Sequence, residues 1–525
     1  MRPILLSALL VLCAIPAAGA QASRNWRPED RLVVGDWTTI RAVAAGPDRV
    51  FIVSPDGVLA FSPLLRRWEG PFVPPVAGAL ERVTAGMIDP LDNSLWLSAS
   101  DGWVHFQPDV QVWERGEAGG RLLDFAFDLA APFEGLFLRT AAGWSRVPRG
   151  ALIPVPSSAP IRPIRPATVA QALASNPALG GAASAFLLDP SLQNARLTSA
   201  ARSFDNLGWY LGTDGVGALF VADGMVVPQR LNFGLPGPVV GAIYAVPGGV
   251  WVLNDRMETG QSALTFVASD LTEFRVFSGP AATGLPYTSA RRLIGVGNGL
   301  WAATDAGVLR FDTEDPAQFR LYDERAGLPD RRVASIASRR GIIVAATARG
   351  LARFIDTTGA EPLAPDYAGS VGAVAVGPDT AWIGISMGPR GAAPGVPGLI
   401  LPVGVDESAA FGRAVYDFAW LADTLVGITS DQLLWRIPGE GRWVMGAPIS
   451  SVVGPLRRLV ADGDGLWVAG DLGVGWTRLI GAPVRPLTVD GDLPGAPLDL
   501  AVDADYLWVG TTAGLVRFRL SEVRP

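Results

Sequence analysis

One pattern constrains this chain more than any other: three short apolar runs separated by tight turns, repeated along its length. The clearest copy is 498–518, LDLAVDADYLWVGTTAGLVRF. Residues 498–502 are apolar, 503–506 turn, 507–510 are apolar around Trp508, 511–514 turn, and 515–518 are apolar again. Runs of this length, bounded by Gly, Asp and Thr, read as strands joined by hairpins. Residues 291–311, RRLIGVGNGLWAATDAGVLRF, match strand for strand. Residues 457–476, RRLVADGDGLWVAGDLGVGW, match nearly as well, and 332–354 keep the frame.

Aligning the copies on the residue that opens the middle strand gives Phe51, Trp96, Phe137, Trp209, Trp251, Trp301, Ile343, Trp382, Val426, Trp467 and Trp508. Successive gaps are 45, 41, 72, 42, 50, 42, 39, 44, 41 and 41 residues. A period of about forty residues with several strands per unit is that of β-propeller blades. One such unit cannot bury both faces of its own small sheet, so neighbouring units must stack. The expected fold is therefore all-β, a propeller array of about eleven four-stranded blades. Single rings hold about four to eight blades. Two rings are thus the first expectation and one unusually large ring the second.

Complete units carry a fourth, outer strand ending in a bulky residue, such as Trp68, Trp113, Tyr322 or Trp443. The last unit stops near Leu520 without one, while 31–37 is a strand-like orphan at the other end of the chain. Pairing 31–37 with 515–518 would complete the last blade and remove an exposed sheet edge. The domain plan is then 1–20 a signal peptide, 21–38 a closing strand, 39–149 blades one to three, 150–198 a proline-rich insertion, and 199–525 blades four to eleven. Within the insertion, 151–166 (ALIPVPSSAPIRPIRP) reads as an extended linker. One or two short helices are expected over 168–188, and the 150–198 segment is the candidate crossing between rings. Residues 387–398 read as a Gly/Pro loop at a blade edge.

The pattern of Leu-Pro, an apolar strand, a Gly/Asp turn, Leu-Trp-x-Gly-Thr, Gly-Leu and Phe resembles the two-component regulator propeller repeat. Residues 507–511 (LWVGT) and 514–518 (GLVRF) carry it best. The resemblance implies a periplasmic sensor-type propeller, here without the kinase or membrane parts of that family. It identifies blades and names no ligand.

Arg2, the apolar run 4–15 and Ala18-Gly19-Ala20 fit a signal peptide cleaved near Ala20, which implies a periplasmic or secreted protein. Cys13, the one cysteine, lies inside it, so the mature chain would have no disulfide or thiolate site. The mature chain shows no apolar run long enough for an integral membrane segment. All 43 cationic residues are arginine, which removes lysine Schiff-base and P-loop chemistry. Net charge is −7, which disfavours nucleic acid as a partner. No cofactor motif is present.

His105, the one histidine, occupies the third strand of its unit, at the slot that holds Arg146, Arg310, Arg353 and Arg517 in other units. These five are the candidate ligand-binding residues, since arginine forks suit carboxylate or phosphate capture. The competing reading is a set of locally paired side chains. Asp462-Gly463-Asp464-Gly465 reads as a turn rather than a calcium loop, which needs more oxygen ligands. Tryptophan fills the middle-strand position in seven units and reads as core. Trp26 and Trp420 lie off this frame.

The functional expectation is an exported, non-enzymatic scaffold for an unknown small ligand or protein partner, with a sensor role in view. The alternative is a propeller lyase or hydrolase using carboxylates at the channel mouth.

Overall fold

In the computed structural model, residues 26–525 are described, apart from 177–195, 257–260, 279–288, 364–368, 393–399, 402–412 and several shorter stretches. The leader 1–20 and its cleavage point lie outside the described residues. The described residues form eleven antiparallel sheets, ten of four strands and one of five. Each of the eleven aligned positions falls on the second strand of a different sheet. Sheets are numbered below in the chain order of those second strands. Their first strands are Ala42–Ala45, Val83–Ile88, Asp124–Asp128, Arg196–Arg202, Val239–Val246, Ala290–Val296, Val333–Arg339, Ala373–Val376, Asp417–Leu421, Leu456–Asp462 and Pro497–Val502.

Burial follows from the residue types. Second strands such as Gly465–Gly470 are apolar on both faces and buried throughout, because a neighbouring sheet covers each face. Trp467 and Trp508 are wholly buried, and Trp301 packs on Phe354 of the next sheet at 5.1 Å. Asp462 and Asp503 accept from the indole N–H groups of Trp467 and Trp508 at 2.9 and 2.8 Å, which satisfies donors that would otherwise be stranded in apolar surroundings. Asp462 thus serves a tryptophan and the Arg524 guanidinium, and Asp464 pairs with Arg478 at 3.0 Å. Trp26 and Trp420 are anchored the same way: Trp26 donates to Asp492, and Trp420 to the Val376 carbonyl.

The last sheet is completed from the other end of the chain. Arg31–Val34 pairs with Gly514–Arg519, placing Arg31 opposite Phe518 and Val34 opposite Leu515. The strand is shorter than the 31–37 expected. It ends at Val34 because Gly35, Asp36 and Trp37 leave the sheet to run beside the chain at Leu235. There the Leu235 N–H donates to the Gly35 carbonyl at 3.2 Å, and Trp37 meets Phe233 edge-on at 5.6 Å.

First strands pack in sequence. From the fifth sheet onward each packs against the next, and that of the eleventh packs back against that of the fifth. The first strand of the fourth sheet packs against that of the first, and that of the first against that of the second. The second and third sheets share a core around Trp96, Trp103, Phe125 and Phe127.

The proline-rich stretch is no free linker. Val155–Pro156 adds to the outer side of the third sheet, and Pro163–Ile164 pairs with Phe127 and Asp128 on its first strand. Each pairing is two residues long, because proline has no N–H with which to extend a ladder. A helix follows at Val169–Ser175, opened by a capping box in which Thr168 and Gln171 bond reciprocally. Pro177 and the remainder of the expected helical region lie outside the described residues. Gly388–Ala392, within the expected Gly/Pro loop, forms a strand instead, paired with Ala381–Ile385. No helix among the described residues is long and apolar enough to cross a membrane.

Candidate functional site

The five arginine-slot residues all sit on third strands, and each is engaged locally. His105 stacks on Trp96 at 4.0 Å and bonds Glu114 at 2.8 Å through Nδ1 and Ser94 at 2.9 Å through Nε2. Both ring nitrogens are thus occupied within one sheet. Arg146 pairs with Glu134 at 2.7 Å and Arg353 with the cross-strand Glu361 at 3.0 Å. Arg310 lies over the Trp301 ring at 5.9 Å. Arg517 lies over Tyr506 at 4.4 Å and donates to the Ser269 carbonyl of the fifth sheet. They belong to five different sheets, and no hydrogen bond or ion pair links one to another. The sites that converge are elsewhere.

A recurring backbone device creates them. In seven of the eleven sheets the pairing of first and second strands skips one residue on the first strand. Such a β-bulge bends the strand and re-aims the extra side chain away from the pleat. In the fifth, sixth, seventh, tenth and eleventh sheets the skipped residues are Gly241, Arg291, Ala334, Arg457 and Leu498. All five line one cavity of about 540 Å³, which is also reached by Gly372 of the eighth sheet and Tyr416 of the ninth. Seven sheets therefore contribute to a single concavity. The skipped residues Thr84 and Thr198 line a second cavity, of about 680 Å³, among the first four sheets.

Of the residues that follow the bulges, Arg292 and Asp499 do not line the cavity. Beneath the seven-sheet cavity, Arg292 contacts Asp417 at 3.1 Å and Asp499 at 3.6 Å, and Arg458 approaches Asp499 at 3.4 Å. Asp417 also accepts from the Leu459 N–H at 3.0 Å, and Asp499 from the Ile243 N–H at 2.9 Å. This network ties five first strands together. Asp499 is 1% exposed, and burial pushes its carboxyl above the usual range while Arg292 and Arg458 pull it back. Beside Asp417 the Arg292 guanidinium is held firmly charged.

The cavity wall above is different in character. Arg291, Arg457 and Arg458 reach it, with Arg457 also paired to Asp471 at 3.0 Å. Asp255, at the end of the second strand of the fifth sheet, is its single lining acid. That carboxyl is 3% exposed, one of its oxygens has no hydrogen-bond partner, and burial raises its pKa to about 6. Three arginines and one buried carboxyl therefore line this space, Arg457 and Arg458 being paired with Asp471 and Asp499, and an arginine fork is suited to hold an anion. Two acids that pair with Arg292 and Arg458, Asp417 and Asp499, are buried and do not line the cavity.

The arginine-slot alignment passed over these residues, although a signal was present. Two of the best repeat copies open with Arg-Arg, at Arg291-Arg292 and Arg457-Arg458. Their convergence depends on which sheets adjoin, which no repeat alignment contains.

No protein-family model matches the chain, and no curated protein matches it. Among solved structures it is similar to the extracellular domain of a hybrid two-component system of B. thetaiotaomicron, at 12% identity and a TM-score of 0.44, over 91% of this chain and 69% of that one. A second such domain from the same organism is similar at 13% identity and a TM-score of 0.42, over 90% of this chain and 60% of that one. It is similar too to PorZ, a surface component of the type-IX secretion system of Porphyromonas gingivalis, at 14% identity and a TM-score of 0.46, over 92% of this chain and 69% of that one.

Proposed function

We propose that this is an exported, non-enzymatic β-propeller that binds a small organic anion at the mouth of a seven-bladed ring. In this reading the fifth to eleventh sheets form the ring, closed by Arg31–Val34, and the first four sheets form a smaller unit inserted between that strand and the fifth sheet. The order of packing supports it, since first strands follow one another from the fifth sheet to the eleventh and back. The observation that carries the binding role is the 540 Å³ cavity, to which all seven sheets contribute and into which Arg291, Arg457 and Arg458 converge. A concavity of this size with few, convergent polar groups is the usual form of a small-ligand site. Ligand occupancy would be passed to a separate partner, as a sensor module requires.

The test is a thermal-shift panel of mono- and dicarboxylates and phosphate esters on the wild-type chain and on the double variant Arg291→Ala/Arg457→Ala. At least one anion stabilises the wild type and loses its effect in the variant. A panel that shifts neither protein, or shifts both equally, overturns the assignment. Asp255 favours a second reading, a lyase or hydrolase in which this carboxyl moves a proton, because its pKa of about 6 suits acid–base work near neutrality. Under that reading Asp255→Asn abolishes turnover of a bound anion while leaving its binding intact.

A further inference from the structure

The two groups of sheets differ in how they treat one face. In each sheet whose four strands follow one another in the chain, the loop from first to second strand and the loop from third to fourth strand open on the same side. Contacts between neighbouring sheets bring these loops together in the first three: Arg49 in the 46–49 loop bonds Asp109 in the 108–111 loop at 2.8 Å. Arg149 likewise reaches from the 148–154 loop to Asp89 and Asp92 beside the 89–94 loop.

Large apolar side chains stand at the tips of these loops. Leu64 and Leu65 occupy the third-to-fourth loop of the first sheet, with Leu64 91% exposed. Phe133 and Ile153 occupy both loops of the third sheet, each 77% exposed. Phe204 and Leu207 lie on the first-to-second loop of the fourth sheet. Leu91, Val110 and Met225 fill three more, so seven of the eight loops on this face carry an exposed Leu, Ile, Val, Phe or Met. The corresponding tight turns of the other group are polar: Gly297-Asn298, Arg340-Gly341, Ala422-Asp423 and Gly463-Asp464. Among its described loops, Ile480 is the exception. Loop tips have every freedom to be polar, so seven apolar ones on one face of one unit call for an occupant.

The pattern specifies the occupant. The tips come from separate loops spread round the face, so they do not enclose a groove for a peptide or a helix. Most charges between them are compensated in place: Arg49 with Asp109 and Glu69, Arg149 with Asp89 and Asp92, Arg146 with Glu134, Arg202 with Asp223; Arg66, beside Leu65, is exposed without an ion pair among the described residues. The face therefore offers apolar insertion without a cationic field, and the chain as a whole is acidic. An uncharged, deformable surface that can take dispersed side chains at one level is the interface of a zwitterionic bilayer. We infer that this face of the four-sheet unit is a lipid-docking surface whose loop tips insert into a neutral, phosphatidylcholine-like membrane interface.

Flotation of the full mature chain with phosphatidylcholine vesicles tests this. The wild type partitions to the vesicles, adding salt to about 0.5 M leaves the partition unchanged because no ion attraction is involved, and adding anionic lipid does not strengthen it. The variant Leu64→Ser/Leu65→Ser/Phe133→Ser/Ile153→Ser loses at least tenfold in partitioning. Its circular dichroism and melting temperature match the wild type, because the four side chains touch water in the folded state. Ile480→Ser, on the other group, binds as the wild type does. The inference is overturned if the wild type stays with the supernatant, or if the quadruple variant floats equally well. It is overturned too if the tips instead drive a concentration-dependent dimer that sedimentation detects and the quadruple variant abolishes without vesicle binding.

Discussion

Asp255, in the cavity wall, and Arg292, beneath it, are two buried ionisable side chains whose surroundings act in opposite ways. Asp255 is buried with an unpartnered oxygen, so its proton is held up to about pH 6 against an ordinary value of 3.8. A carboxyl whose folded pKa is raised lends stability at pH below its unfolded value, and that contribution is lost as pH rises through the folded one. Asp255→Asn should therefore stabilise the protein at pH 8 by up to about 3 kcal/mol. The gain should shrink between pH 6 and 4, as read by urea melts across that range. Arg292 works the other way, because it is the shared partner of Asp417 and Asp499. Arg292→Met leaves two buried carboxylates short of a cation and should cost about 3–5 kcal/mol. Adding Asp499→Asn to that variant should recover part of the loss, and a double-mutant cycle measures how much. Strict additivity of the two substitutions would show that they do not share one network.

At the scale of the element, the closing strand has a role out of proportion to its four residues. Val34, Trp37 and Ile40, on it or just beyond it, are almost wholly buried, and each apolar side chain of this kind contributes about 1.5–3 kcal/mol when fully buried. Deleting residues 21–38 should lower the melting temperature of the whole array. It should also expose the edge of Gly514–Arg519 to rapid amide exchange at Leu515, Arg517 and Arg519, whose N–H groups face the closing strand. Unchanged stability and protected amides there would refute the pairing. The first-strand bulges are the second element-scale device. They turn a core-forming strand into one that also aims Arg291 and Arg457 at a cavity, without disturbing the buried second strand beside it.

For the whole molecule, the chain leaves the last sheet at Gly35 and returns beside it at Leu235, with a backbone hydrogen bond joining the two points. The first four sheets therefore hang from two adjacent strands of chain. Excising residues 36–234 and joining Gly35 to Leu235 should yield a folded protein of the remaining seven sheets. Circular dichroism and a single cooperative melt would establish it. An aggregated or molten product would mean that the two groups of sheets depend on each other, through the Trp37, Trp68, Phe233 and Phe274 cluster.

Blade-forming strands were legible in the sequence because their signal is local. Alternation, turn dipeptides and a tryptophan at a fixed place in each unit repeat within about forty residues. That is enough to place Phe51 through Trp508 on the second strand of eleven sheets, and to see that the last unit lacked an outer strand which 31–37 could supply. The proline-rich 151–166 was legible as extended chain but not as strand, since its two short pairings are made on opposite edges of the third sheet, beside Arg146 on one and Asp128 on the other. His105 and the four arginines at its slot stood out as a column in an alignment, yet equivalent positions in successive sheets are spread around an array and each meets its own partner. Arg291, Arg457 and Arg458 came together with Asp255 only in the tertiary structure. The reason is physical: repeat periodicity specifies how each sheet is built, while a shared site depends on which first strands face one another and where a bulge turns a side chain out of the pleat.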